Sequence, residues 1–364
     1  MKIAELSLSG SYSGIAVMIW SIYKNLDTKK NRVDIITLQN PFFDEKKKEI
    51  ENNGSRLYSM PSKSKNKILN YFTLYQNIKN IAKREKYNIV HIHGGGNLQN
   101  IIAVKALRNC GAQIIMHAHN EENAKKKFNK TQKKIIAKYC NKKLSCSDKA
   151  ADAFFRDDDW IFIKNGIDTE KFSFSQTKRT ELRRQYKIND DEIFVGTVGR
   201  MEKQKNHEYL IDIFKELTKN KKAKLVIVGN GSLKNSLIEK IHLNKLDDRI
   251  ILVDRSNDIP GILSALDYFV LPSLYEGLPV SAIESQANGL TTIISDKTSE
   301  MTIITDKCKK IGINQDDIKE WASELSIMPN IENRKKYSQI IRDAGFDITN
   351  TAEQVQKVYE ACYE

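Results

Sequence analysis

Residues 269–289 read FVLPSLYEGLPVSAIESQANG, and this stretch decides how the rest of the chain is read. The run 268–271 is short and apolar, as in a buried strand. Pro272 cannot donate to a sheet ladder, so the strand stops before it. Residues 273–278 then read as loop. Pro279 suits the first position of a helix, where its missing N–H would have no partner anyway. The helix is expected from 280 to about 288, closed by Gly289 in the left-handed conformation. Two carboxylates, Glu276 and Glu284, stand eight residues apart across this strand-to-helix junction.

That junction limits what the two acids can do. A helix start offers unpaired N–H groups and a partial positive charge, which favour an anion such as a diphosphate. A carboxylate repels that anion. Glu276 and Glu284 are therefore better placed as acceptors from hydroxyls on either side of it. A nucleotide-sugar carries hydroxyls on both sides of its diphosphate, on the ribose and on the sugar ring.

The same alternation of short apolar runs and helical periods extends through the chain. Strands are expected at 2–6, 33–37, 56–58, 89–92, 113–116, 143–146 and 160–163, then at 194–198, 224–228, 250–253, 268–271 and 292–295. Helices are expected at 67–85, 98–108 and 208–217, the last with Tyr209, Leu210, Ile213, Phe214 and Leu217 on one face. The pattern means parallel sheets with crossover helices. The fold class is α/β, with two doubly wound, Rossmann-like domains facing a central cleft. The expected division is 1–168 and 169–348. In open sheets of this kind, ligands bind outside the carboxyl ends of the strands.

Composition agrees with two ordinary domains: 364 residues, of which 40% are hydrophobic. There is no apolar run long enough for a transmembrane helix, and no signal peptide is visible at the start. Cys110, Cys140, Cys146, Cys308 and Cys362 are odd in number and unclustered, which suits a reducing cytoplasm. The net charge of +13 lies entirely in the first half, where residues 1–170 hold 30 Lys and Arg against 17 Asp and Glu. The densest block is Lys125, Lys126, Lys127, Lys130, Lys133, Lys134, Lys138, Lys142 and Lys143. Such a block attracts an anionic lipid leaflet or a lipid diphosphate. No aromatic interleaving or nucleic-acid fold accompanies it, so nucleic acid is not expected as a partner.

At this point the residues carry a family resemblance. The Glu276-x7-Glu284 pattern within EGLPVSAIESQANG resembles the signature of the family 4 glycosyltransferases. GRMEKQKNHEYLIDIF (199–214), LVIVGNGSLKNSLIEKI (225–241), NGIDTEKF (165–172) and MHAHN (116–120) follow that family's order and spacing. The resemblance is to its exopolysaccharide and capsule branch. It implies the GT-B fold and a retaining, metal-independent transfer of sugar from a nucleotide-sugar, most simply a UDP-sugar. It also implies that the last helix, 349–364, returns to the first domain.

The resemblance assigns roles residue by residue. Glu284 faces the ribose, where one carboxylate can accept from both hydroxyls of a diol. Glu276 contacts the transferred sugar. Arg200 and Lys205, in the pattern GR-x4-K, offset the charge that grows on the departing phosphate. Backbone N–H groups around Gly277, Leu278 and Val280 cradle the diphosphate, and Pro279 lies within the same donor-binding turn. Gly14 marks a second phosphate wall, although Ser13-Gly14-Ile15-Ala16 departs from the family's paired glycines and has no acid or arginine after it. Of the two histidines in MHAHN, His117 is preferred beside the reacting sugar and His119 comes second, with Asn120 adjoining. His91 and His93 either line the acceptor groove or simply end a strand.

Gly229 sits in a glycine-rich turn whose dinucleotide fingerprint is incomplete, since Lys234 stands at the third glycine, so the turn borders the nucleotide instead. Arg255 approaches the base. No metal is expected, because the four histidines have no accompanying carboxylate spacing. No cofactor is implied beyond the nucleotide-sugar itself, and the acceptor is a glycan or a polyprenyl-diphosphate-linked sugar. Two other readings use the same architecture: a nucleotide-sugar 2-epimerase or hydrolase, and a two-lobed sugar-binding protein.

Overall fold

The computed structural model describes residues 1–363 except 9–12, 29, 62–65, 95–96, 120–128 and 156–158. The chain divides into two units, one of Met1–Gly166 with Ile348–Glu364 and the other of Ile167–Asp347.

The first unit is built on seven parallel strands: β1 (Lys2–Ser7), β2 (Arg32–Leu38), β3 (Leu57–Met60), β4 (Ile89–His93), β5 (Gln113–Ala118), β6 (Lys142–Ser145) and β7 (Ile161–Phe162). Their order is β3-β2-β1-β4-β5-β6-β7. Helices between them include α1 (Gly14–Asn25), α2 (Lys67–Glu85), α3 (Asn97–Leu107) and α4 (Lys130–Tyr139). The interior strands are buried on both sides, as a sheet covered on both faces requires. Two of them run on past the expected ends. β4 includes His93, and β5 includes His117 and Ala118. The histidines expected on post-strand loops are therefore strand residues, all but His119. Parallel pairing explains the extension: His93 sits opposite His117 in register and continues the ladder. Alternate residues of a strand share a face, so His91, His93 and His117 point to one side of the sheet.

The second unit has six parallel strands: β8 (Ile193–Val198), β9 (Ala223–Val228), β10 (Ile250–Val253), β11 (Tyr268–Leu271), β12 (Thr291–Ser295) and β13 (Cys308–Ile311), ordered β10-β9-β8-β11-β12-β13. The edge strand β13, sequence CKKI, escapes sequence reading because two lysines interrupt its apolar pattern. Lysines are what an edge tolerates. Helix α5 (His207–Leu217) turns Leu210, Ile213, Phe214 and Leu217 into the core. Helix α6 (Val280–Ala287) follows β11. Pro279 is its N-cap, with ψ 112°, and not its first helical residue. The Pro279 carbonyl accepts from Ala282 and Ile283, so the residue starts the helix from just outside it. Gly289 closes the turn at φ +69°, and a Cβ there would lie 2.5 Å from the Arg334 carbonyl oxygen.

The chain then returns to the first unit as α7 (Ile348–Tyr363). Ile348, Val355, Val358 and Tyr359 join Ile19, Ile22 and Tyr23 of α1 over the face of the sheet that carries Ile3, Ile35, Ile89 and Ile115. No helix among the described residues is long and apolar enough to cross a membrane.

Candidate functional site

In the second unit the strand order reverses between β8 and β11: the chain fills one side of β8 with β9 and β10, then crosses back to place β11 on the other. Loops leaving the carboxyl ends of two such strands diverge and open a crevice. The loop after β8 carries Arg200 and Lys205. The loop after β11 carries Glu276, Gly277 and Leu278 and leads into α6.

These two loops are fastened together. The Leu274 N–H donates to the Gln204 carbonyl at 2.8 Å. Gln204 Nε2 donates to the Tyr275 carbonyl at 3.0 Å, and Asn206 Nδ2 to that of Pro272 at 3.1 Å. Lys205 Nζ meets Glu276 Oε1 at 2.6 Å. The Lys205 stem lies over Gly199, where a Cβ would come within 3.2 Å of its Cε. Glycine in GR-x4-K thus makes room for the lysine. Arg200 is exposed at the start of the same loop. Glu276 is itself fixed by a parallel bridge to Thr298.

Glu284 stands on α6, half-buried, and its carboxyl is pushed up to about 7 by burial, with the Lys171 ammonium opposing. No hydrogen-bond partner for that carboxyl occurs among the described residues. Leu278 points into the core, and Val280 packs beside it, so any ligand contact from either comes from backbone. Gly229 has φ +148°, and a Cβ there would fall 2.0 Å from the Gly199 carbonyl oxygen. Its glycine is required by the close approach of the loops after β8 and β9, a reason separate from the nucleotide contact expected. Arg255 follows β10, the edge strand, two strands from the crevice.

Sequence reasoning missed His207, Thr197 and Ser273. All three are buried beside the two loops, with both His207 ring nitrogens and the two hydroxyls unpaired among the described residues. Burial and the neighbouring Lys205 ammonium lower His207 to about 4, so it is neutral. The signal available was a histidine two residues beyond Lys205, at the first position of a helix.

In the first unit the corresponding reversal lies between β1 and β4. Gly14 opens α1, capped by the Ser13 hydroxyl, which accepts from the Ala16 N–H. A Cβ at Gly14 would meet nothing within 4 Å. On the sheet face under α1 and α7 lies a buried polar cluster. Glu5 Oε2 is 2.6 Å from His93 Nε2, and His93 Nδ1 is 2.8 Å from His119 Nε2. His119 Nδ1 faces Asn165 Oδ1 at 3.3 Å. The Tyr359 hydroxyl donates to Glu5 Oε1 at 2.6 Å and lies 2.6 Å from His91 Nδ1. His91 Nε2 is 3.2 Å from His117 Nδ1.

Burial holds all four rings neutral, His93 and His119 at about 3 and His91 and His117 well below their ordinary value. The same burial raises Glu5. His91, His93 and His117 could each turn one nitrogen toward a common metal, since those atoms lie within 4.8 Å of one another. A tetrahedral zinc needs its nitrogens about 3.4 Å apart, and here the nitrogens pair with one another instead. The carboxylate missing from the local spacing is supplied by Glu5 of β1. His117, the preferred residue, is 1% exposed, while His119 stands just beyond the strand end. Asn120 and Lys125–Lys127 lie outside the described residues.

The lysine block does not form one surface. Lys130, Lys134 and Lys138 are exposed on α4. Lys143 is buried in β6, with its Nζ 3.6 Å from Asp159. Its side chain follows the strand alternation, which charge counting ignores.

Comparison with known proteins settles the family. The model of the glycosyltransferase family 4 matches residues 12–171, and that of the glycosyl transferases group 1 matches residues 178–344. The chain belongs to the family 4 glycosyltransferases. The putative glycosyltransferase EpsF of Bacillus subtilis is 29% identical, over 98% of this chain and 96% of its own length. The UDP-Gal:alpha-D-GlcNAc-diphosphoundecaprenol alpha-1,3-galactosyltransferase of Escherichia coli is 27% identical, over 99% and 96%. Among solved structures, Anabaena Alr3699/HepE in complex with UDP-glucose superposes with a TM-score of 0.80 at 16% identity, covering 99% of this chain and 100% of that one. The lipopolysaccharide glycosyltransferase WaaG gives 0.73 at 13% identity, covering 98% and 99%. The fold of this family 4 enzyme is GT-B, and its activity is glycosyl transfer.

Proposed function

We propose that this glycosyltransferase moves a sugar, with retention of anomeric configuration, from a UDP-sugar to a polyprenyl-diphosphate-linked glycan during assembly of a cell-surface polysaccharide. The observation that carries the reading is the Lys205–Glu276 pair, held by a zipper of loop hydrogen bonds at the strand reversal of the second unit. The donor diphosphate takes the start of α6, where N–H groups and the helix dipole favour it. Lys205 and Arg200 offset the charge that develops on the leaving phosphate, and fixed cations do this without a metal. Glu276, bound to Lys205 before donor arrives, turns to the sugar hydroxyls. Glu284 accepts from the ribose diol, a task that needs its ionised form. The end of β5, with His119, touches the reacting sugar.

The donor and acceptor classes are supported by the Escherichia coli relative, whose name specifies UDP-galactose and an undecaprenyl-diphosphate acceptor. Peripheral docking on an anionic membrane is supported by the charge of the first half and by the first turns of α2, where Ile68 is 79%, Leu69 52% and Phe72 60% exposed. A membrane-facing enzyme in the cytoplasm follows from that reading.

The test is thermal stabilisation against a panel of UDP-, GDP-, ADP- and CMP-sugars, followed by transfer to a polyprenyl-diphosphate sugar. Ligand raises stability by RT ln(1 + [L]/Kd), so the true donor stands out. Stabilisation by a non-UDP donor alone overturns the base assignment. Donor consumed at equal rate without acceptor favours the hydrolase or epimerase reading.

A further inference from the structure

The hydrogen bonds of the buried cluster in the first unit limit where its protons can sit. The Tyr359 hydroxyl gives its one proton to Glu5 Oε1. Its oxygen is then free to accept from His91, whose Nδ1 also lies 3.3 Å from Glu5 Oε2, and this arrangement puts the His91 proton on Nδ1. Neutral His91 then has a bare Nε2, which accepts from the Nδ1 proton of His117. His117 Nε2 is left bare, and it is the one ring nitrogen of this cluster without a partner among the described residues.

The other branch has two solutions. With Glu5 ionised, His93 holds its proton on Nε2 and gives it to the carboxylate. His93 Nδ1 accepts from the His119 Nε2 proton, and His119 Nδ1 is bare. Asn165 must then present its amide nitrogen to that atom. With Glu5 protonated, every member shifts: the carboxyl donates to His93 Nε2, His93 Nδ1 to His119 Nε2, and His119 Nδ1 to the Asn165 carbonyl. His119 Nδ1 lies 3.3 Å from the Asn165 amide, which can serve either state by presenting its oxygen or its nitrogen.

We propose that Glu5 and His93 are positioning residues that set, as a proton relay, which nitrogen of His119 bears its proton, with Tyr359 of the C-terminal helix holding Glu5 in place. The step balances. A solvent proton taken at His119 Nδ1 releases the Nε2 proton of that ring to His93 Nδ1, and the His93 Nε2 proton passes to Glu5 Oε2. One proton is gained, the carboxylate is neutralised, and no ring stays charged. Asn165, within the NGIDTEKF stretch, turns its amide end for end to follow. Burial favours the state without an isolated charge, and Glu5 is raised accordingly. The other titratable groups on this face are His91, His117, Tyr359 and Cys362 of α7, Tyr23 of α1, and Lys142 beside Cys362. His91 Nδ1 faces both the Tyr359 hydroxyl and Glu5 Oε2, and in this scheme His91 and His117 keep their tautomers while His93 and His119 shift.

The catalytic consequence rests on the reading that the β5 end touches substrate, so two measurements separate the two ideas. The first is the 15N imidazole spectrum of the intact protein, followed across the pH range in which it stays folded. His93 and His119 are expected to change tautomer together in the wild type, while His91 and His117 do not. In Glu5→Gln, which carries a permanent donor toward His93, His119 stays Nδ1-protonated throughout. Wild-type tautomers that never change, a Glu5→Gln spectrum that titrates like the wild type, or stoichiometric zinc in the purified protein would each overturn the relay. The second is kinetic. Glu5→Gln should remove one limb of the kcat–pH profile while leaving donor KM and the unfolding temperature near wild type. His119→Ala with unchanged kcat would instead sink only the substrate contact at the β5 end.

Discussion

Lys205 Nζ and Glu276 Oε1 are in contact at 2.6 Å, across two loops separated by 71 residues of sequence. The pair holds each partner oriented at the crevice. Removing one partner of a partly buried pair leaves the other charge uncompensated. Lys205→Ala is expected to lower kcat about 100-fold or more, as for loss of one transition-state donor. Glu276→Gln lowers kcat too, and the double variant loses less than the sum of the single losses. Additive losses in a double-mutant cycle would show that the pair is not shared in the reaction.

Glu284 supplies a pH dependence with a definite sign. Its carboxyl is raised to about 7 in the folded chain, against an ordinary value of 4.5. The protonated form accepts fewer hydroxyl protons, so donor KM rises as pH falls below about 7. Glu284→Gln should have a higher KM and lose this dependence. Stability without ligand runs the other way. A raised acid contributes most below its unfolded value, and that contribution is lost as pH climbs from 4.5 to about 7. Thermal unfolding of wild type and Glu284→Gln across this range measures the difference directly.

Gly229 and Gly14 separate structural from ligand roles. Gly229→Ala forces a Cβ into the Gly199 carbonyl at a φ of +148°, and its cost should exceed about 2 kcal/mol. Gly14→Ala meets nothing within 4 Å, so its unfolding temperature should stay at wild type. If a phosphate approaches α1, the Gly14 variant shows a raised KM on an intact fold. Unaltered kinetics would remove Gly14 from the site.

Membrane docking through α2 predicts a combined salt and apolar response. Flotation on vesicles with anionic lipid should exceed that on neutral ones and weaken at high salt, since exposed charges are screened over about 8 Å at physiological ionic strength. Replacing Ile68, Leu69 and Phe72 by Ser should reduce flotation without lowering transfer to a short, soluble acceptor. Equal flotation on both vesicle types would count against the reading.

Much of this was legible in the sequence because strand alternation and helix capping act over a few residues. β10, β11 and α2 begin and end where the pattern puts them, and Gly289 takes its left-handed turn. What stayed hidden depends on distant partners. The extension of β5 through His117 follows from pairing with β4, not from its own composition. Glu5 looked like an acid in an otherwise apolar strand until His93 and Tyr359 were seen against it, 88 and 354 residues away in sequence. Lys143 looked like one more surface charge for the same reason.

The first unit takes its last helix from beyond the second. Val355 and Tyr359, both fully buried, are translated after every residue of Ile167–Asp347. A ribosome therefore exposes a whole second unit while the first still lacks a wall, and the order of maturation runs opposite to the order of synthesis. A chain cut before Ile348 keeps the second unit whole and leaves the first, though made earlier, open.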